Sequence, residues 1–126
     1  MAKERLLISI VEDDQPMRDS IGRLLRSYGY TVHVFSSAPE FLAFPSLEET
    51  ACLVTDIHMP TMAGIELYRR LVETGHKLPT ILITAYPDEA VRLRALADGV
   101  VGYLEKPFDD NTLIGCIRLA LRQPSP

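Results

Sequence analysis

The residues of this chain best equipped for chemistry are few and far apart in sequence: the acidic run Glu12-Asp13-Asp14, a single Asp56, Thr84 and Lys106. Carboxylates brought together repel and raise one another's pKa unless a cation sits among them. A hard, oxygen-seeking dication meets that need. Magnesium takes near-octahedral oxygen ligands and keeps several waters, so two or three carboxylates plus a main-chain carbonyl make up a protein's share of the shell. The His and Cys residues show no ligand spacing that would argue for zinc. Beside such an ion, a carboxylate such as Asp56 can attack phosphorus while the metal neutralises phosphate oxygens on the same side. The Lys106 ammonium can pair with the free carboxylate and with phosphoryl oxygens, and the Thr84 hydroxyl can donate a hydrogen bond. Positioning a phosphoryl group and neutralising its charge is the logic of phosphoryl transfer.

Each of these residues closes an apolar run, so the elements that must position them are strands. Short β-rich runs at 6–11, 31–35, 51–55, 80–84 and 100–105 alternate with helical patterns, a βα repeat that predicts a parallel sheet. The first and fourth runs are almost continuously apolar, as central strands covered on both faces should be. The second alternates, which predicts an edge strand with Val32 and Val34 inward and His33 outward. Met17, Ile21, Leu24, Leu25 and Tyr28 form one helical stripe closed by Gly29, with Pro16 in the first turn and Asp14 near the cap. Ser37 and Glu40 have capping-box spacing and predict a short second helix ending near Pro45. Ile65, Tyr68, Leu71 and Val72 mark a third helix stopping at Gly75, and Leu113, Ile114, Ile117 and Leu121 a fifth. The fourth, near 88–97, has only Ala90, Val91, Ala95 and Leu96 to bury and is expected to be the least firmly held. Five parallel strands with right-handed crossovers give a doubly wound α/β sheet, for which the order 2-1-3-4-5 is one of two common solutions. Ligands then collect beyond the carboxyl ends of strands 1 and 3, where the order reverses. Every chemical residue above lies at that end.

The motifs Ile10-Val11-Glu12-Asp13-Asp14, Val54-Thr55-Asp56-Ile57-His58-Met59-Pro60 with Met62 and Gly64, Ile83-Thr84-Ala85, and Tyr103-Leu104-Glu105-Lys106-Pro107-Phe108 occur in this order. In order and spacing they resemble the signatures of the receiver domain of two-component response regulators, over about residues 5–122. The resemblance implies a flavodoxin-like sheet of order 2-1-3-4-5 with five helices. It also implies that Asp56 accepts phosphate from a histidine kinase or phosphotransfer protein. Asp13 would bind Mg2+ directly, Glu12 mainly through water, and the main-chain oxygen of His58 would complete the ligands with Asp56. Thr84 and Tyr103 resemble the switch pair, and Lys106-Pro107 a pair joined by a cis peptide. Pro60, Gly64 and Pro107 shape loops. Glu12 stands where Asp is also common in the family, and its extra methylene changes its reach.

At 126 residues, 47% hydrophobic and 24% charged, the chain is expected to be one soluble domain, with 123–126 a frayed tail or the start of a linker. A net charge of −4 gives no general attraction to nucleic acid or anionic membrane. The expected domain is cytoplasmic, with no signal peptide and no apolar stretch approaching the roughly 18 residues that cross a bilayer. Cys52 and Cys116 read as small buried hydrophobes. An alternative reading, a phosphohydrolase turning over through an aspartyl phosphate, would need an acid for the leaving group. His58 occupies the position where the haloacid dehalogenase-like family shows a second Asp, and no cap segment is evident. A receiver acting unphosphorylated as a fixed surface is disfavoured by the intact acid, threonine and lysine set. The favoured reading is a switch, whose phosphorylation reshapes the face of helix 4, strand 5 and helix 5 to control an output domain, a partner or a homodimer. The Lys106-Pro107-Phe108 neighbourhood and the Phe41-Leu42-Ala43-Phe44 stretch resemble regulators with a C-terminal DNA-binding domain.

Overall fold

Period-two alternation along the inner strands decides the architecture. In β1 (Leu7–Val11), Ile8 and Ile10 face one side of the sheet and Val11 the other. Cys52 and Val54 oppose Leu53 in β3 (Thr50–Asp56), and Ile81 and Ile83 oppose Leu82 in β4 (Thr80–Thr84). All are completely buried. Strands that are apolar on both faces need cover on both, and parallel strands joined by helical crossovers supply it.

The computed structural model describes residues 6–122, so the expected tail at 123–126 and residue 5 of the expected core lie outside the described residues. With β2 (Thr31–Phe35) and β5 (Gly102–Glu105), the sheet is five-stranded, parallel and ordered β2-β1-β3-β4-β5. α1 (Gln15–Ser27) and α5 (Asp110–Arg122) cover one face through Ile21, Leu25, Leu113, Ile114 and Ile117. α2 (Ala38–Leu42), α3 (Gly64–Glu73) and α4 (Glu89–Asp98) cover the other. The expected doubly wound, flavodoxin-like topology is therefore the observed one.

Helix ends follow local chemistry. Asp14 caps α1 by accepting the Met17 amide at 3.0 Å, and Gly29, at φ 92°, supplies the left-handed turn that closes it. Ser37 caps α2, but Glu40 reaches back to the amide and hydroxyl of Ser36 rather than to the Ser37 amide. α2 ends at Leu42, short of Pro45, and a 3-10 turn, Leu47–Glu49, buries Leu47 before β3. Burial pushes the Cys52 thiol up to about 12, and both cysteines are free.

Several expected core positions differ: Tyr28, at the end of the α1 stripe, is 44% exposed, and Cys116 is only partly buried. Val34 is 38% exposed because β2 is an edge strand and the α1 residue beside Val34 is Gly22, which has no side chain to cover it, while outward-facing His33 meets Phe44 with ring centroids 4.9 Å apart. In α3 the buried stripe is Gly64, Leu67, Tyr68 and Leu71, leaving Val72 52% exposed. In α4 only Ala95 is buried, with Val91 packed partly against the core, and Ala90 and Leu96 are exposed. Burying a side chain such as Leu67 contributes about 1.5–3 kcal/mol and burying a lone methyl far less, so α4 is held weakly by packing. Its two ends are tied instead by phenols: the Tyr103 hydroxyl accepts the Asp88 amide, and the Tyr68 hydroxyl donates to the Asp98 carbonyl, each at 3.1 Å.

The connection from β3 to α3 contains a strained residue. Thr61 has φ 51°, a left-handed conformation that a β-branched side chain resists and Asn tolerates. Thr61→Asn should therefore stabilise the domain by up to about 1 kcal/mol. The expected result is a higher urea midpoint with an unchanged m-value; a lower midpoint would show that the threonine makes a compensating contact.

Candidate functional site

The site is built by strand register. Val11 pairs with Thr55, Asp56 with Ile83 and Thr84 with Glu105, so the residues that end β1, β3, β4 and β5 come out side by side along one edge. Two further backbone bonds bind that edge: the Ile57 amide to the Ile83 carbonyl at 2.9 Å and the Lys106 amide to the Thr84 carbonyl at 2.7 Å. Gly64 lets α3 start against it. A Cβ there would lie 2.3 Å from the Asp56 carbonyl oxygen, so the glycine, expected only to shape a loop, is required by close approach.

Lys106 Nζ donates to Glu12 Oε1 and to Asp56 Oδ2, each at 2.8 Å. Glu12 is completely buried and Asp56 nearly so. The other Glu12 oxygen accepts the Asp14 amide at 3.2 Å, and Asp56 Oδ1 accepts the His58 amide at 2.9 Å. Asp13 is exposed, yet one oxygen from each of Glu12, Asp13 and Asp56 lies within 4.8 Å of the others. Two oxygens on opposite sides of a magnesium ion stand about 4.2 Å apart, so this cluster has the size and donor chemistry for one hard cation. The three acids and Lys106 expected to form the site thus do meet.

The other expected residues lie on neighbouring strands and loops. Thr84 is buried, its hydroxyl accepting the Tyr86 amide at 2.9 Å. Tyr103 is half-buried at the N-terminal end of α4. The His58 ring meets Tyr86 edge-on, with centroids 5.4 Å apart, so the side chain joins a loop contact. Lys106-Pro107 is cis, as the resemblance implied.

Comparison with known proteins agrees with this geometry. A family model described as response regulator receiver domain matches residues 8–118. The chain belongs to the response regulator receiver family. It is 35% identical over 122 residues to the response regulator protein TodT of Pseudomonas putida, covering 97% of this chain and 54% of that protein. It is 39% identical over 120 residues to the transcriptional regulatory protein FixJ of Bradyrhizobium diazoefficiens, covering 94% of this chain and 58% of that protein. The chain therefore spans little more than half the length of the curated relatives it matches. It superposes on the crystal structure of FixJ-N with a TM-score of 0.87 at 35% identity, covering 98% of this chain and 99% of that one.

In this receiver domain one ammonium serves two carboxylates, which leaves a negative charge undercompensated in a buried place. Burial pushes the Glu12 pKa up to about 7, aided by the Asp56 charge and opposed by the bonds from Lys106 and Asp14. Burial also opposes the charge on Lys106, but its hydrogen bonds to Asp56 and Glu12, with their negative charges, outweigh it and raise its pKa. The lysine stays charged. Receiver domains bind Mg2+ at such an acidic pocket, and a dication among these oxygens would favour the ionised form of Glu12. Arg18 was not anticipated. Its guanidinium donates to the Glu12 carbonyl at 2.8 Å, and its place one helical turn after Asp14 was the only signal.

The Glu12 shift fixes a sign for pH dependence. Between its ordinary 4.5 and about 7, folded Glu12 holds a proton that the unfolded chain has released, so folding is disfavoured progressively as pH rises through that window. In metal-free buffer, wild type should lose up to roughly 3 kcal/mol relative to Glu12→Gln across this range and level off above it. Urea unfolding at several pH values measures the difference. A constant gap would mean that Glu12 ionises normally.

Proposed function

We propose that this chain is a phospho-acceptor switch in which Asp56 takes a phosphoryl group and the face of α4, β5 and α5 carries the response. The observation that supports it best is the Lys106 ammonium held 2.8 Å from both Asp56 and Glu12, with Asp13 beside them at the topological switch point. The donor would be a phosphohistidine of a histidine kinase or phosphotransfer protein. An Asp56 oxygen forms a bond to phosphorus as the phosphorus–nitrogen bond breaks, and the departing imidazole keeps that electron pair. When bound by Glu12, Asp13, Asp56 and the His58 main-chain oxygen, Mg2+ would neutralise phosphate oxygens. Lys106 exchanges its bond to the Asp56 carboxylate for one to a phosphoryl oxygen. Pro60, Gly64 and Pro107 keep the surrounding loops in register.

The response follows from Thr84. A phosphoryl group adds about two negative charges and strong acceptor oxygens, giving the Thr84 hydroxyl a better partner. Turning toward it, the hydroxyl gives up the Tyr86 amide and loosens the loop leading into α4, where the Tyr103 ring can reposition. Only Ala95 of α4 is buried, so shifting the helix costs a few kcal/mol at most, the scale of the new hydrogen bonds. The lengths and names of the relatives favour a receiver unit of about residues 5–122 that controls an output domain, in the manner of a cytoplasmic transcriptional regulator, or associates with a second copy.

With a small acyl phosphate and Mg2+, mass spectrometry should find one added phosphoryl group on wild type and none on Asp56→Asn. Labelling that survives Asp56→Asn would place the acceptor elsewhere, and labelling without metal would remove the cation from the mechanism. Thr84→Ala should still accept phosphate, but hydrogen exchange over residues 84–122 should respond less than in wild type. A full response in Thr84→Ala would mean that the signal takes another route.

A further inference from the structure

Only Glu12, Asp13 and Asp14 separate β1 from α1, and this turn has to deliver an exposed Asp13 to the carboxylates of Glu12 and Asp56. Most of its polar groups are held by neighbours already described. The Glu12 amide donates to the Phe35 carbonyl at 3.0 Å, and its carboxylate is held by Lys106 and by the Asp14 amide. Asp14 caps α1. The Glu12 carbonyl points past the end of the strand and accepts Arg18 Nη1 at 2.8 Å. Arg18 also donates its own amide to the Asp14 carbonyl at 2.9 Å, so one residue holds both ends of the turn.

The carbonyl in question belongs to the peptide plane that joins Glu12 to Asp13, and fixing its direction fixes the direction in which the Asp13 Cα leaves the strand. We propose that Arg18 is a positioning residue of the phosphoryl-transfer site, whose guanidinium orients the Glu12–Asp13 peptide so that the Asp13 carboxylate meets those of Glu12 and Asp56. This rests on the reading of those acids as the cation site. A guanidinium suits the task. It is always charged, its donors have fixed directions, and its partner here is a carbonyl, which leaves the carboxylates free. A flexible lysine would restore the charge without the direction.

Charge and geometry predict opposite outcomes, so the role can be tested by sign. A positive side chain beside a dication site should weaken cation binding by repulsion, and its removal would then tighten it. A residue that orients a ligand does the reverse. Mg2+ should be titrated calorimetrically into wild type, Arg18→Gln, Arg18→Lys and Asp13→Asn, with melting curves confirming that each variant is folded. Arg18→Gln should bind Mg2+ about tenfold more weakly, as loss of a partner that orients a metal ligand does, and Arg18→Lys should lie between it and wild type. In metal-free protein, hydrogen exchange at the Asp13 and Asp14 amides should quicken in Arg18→Gln while that of β4 is unchanged. Equal or tighter Mg2+ binding by folded Arg18→Gln overturns the positioning role. If that variant does not fold, unchanged affinity in Arg18→Lys overturns it instead. Asp13→Asn separates the two levels: wild-type affinity there refutes the cation site itself, whereas a large loss there beside an intact Arg18→Gln refutes only Arg18.

Discussion

The site depends on one ammonium shared by two buried carboxylates. Glu12, Asp56 and Lys106 come from three different strand ends, and none of the three would be acceptable alone in so enclosed a place. With both acids ionised they carry one negative charge in excess. That excess suits the pocket to a cation, and under the proposed switch Lys106 would be the positive charge that meets a phosphoryl oxygen. Breaking the trio by removing the lysine would leave two buried acids facing each other, which is why the fold and the chemistry cannot be separated at this point.

The sheet supplies the geometry that such an arrangement requires. Strand ends are fixed by backbone ladders on both sides in β1, β3 and β4, and a ladder tolerates far less displacement than a loop. The apolar layers above and below the sheet hold those ends in place. They contribute nothing to the chemistry directly. Their job is to let four polar residues sit at the edge of a well-packed core without the core giving way around them.

Much of this was legible in the sequence. Continuous apolar runs at Leu7–Val11 and Thr80–Thr84 marked inner strands because period-two patterns with both faces apolar admit few alternatives. Acids, a threonine and a lysine at the ends of those runs located the site. The failures share one cause. Val34 and Val72 are apolar residues in the right periodicity whose exposure depends on what neighbouring elements set against them, and no local pattern records that. Gly64 was legible as a required glycine but not for its reason, since the close approach of α3 to the Asp56 carbonyl is a tertiary fact. Arg18 was missed because its partner is a main-chain oxygen, and main-chain oxygens leave no mark in a sequence.

The tethering of α4 by Tyr68 and Tyr103 has a consequence for how this domain can evolve. The free energy that keeps the chain folded resides mainly in the layers around Leu25, Leu53, Leu67 and Ile117, whereas the position of α4 rests on Ala95, the partly buried Val91 and hydrogen bonds at the helix ends. The two reservoirs meet at Tyr68, whose ring is part of the buried α3 stripe, and are separate at Tyr103. A substitution around those side chains changes how many molecules are folded, whereas loss of the Tyr103 hydroxyl alone releases the start of the helix without opening a cavity in the core. Stability and the hold on the start of α4 can therefore drift independently, so a lineage can adapt to heat without changing how firmly that end of the helix is tied.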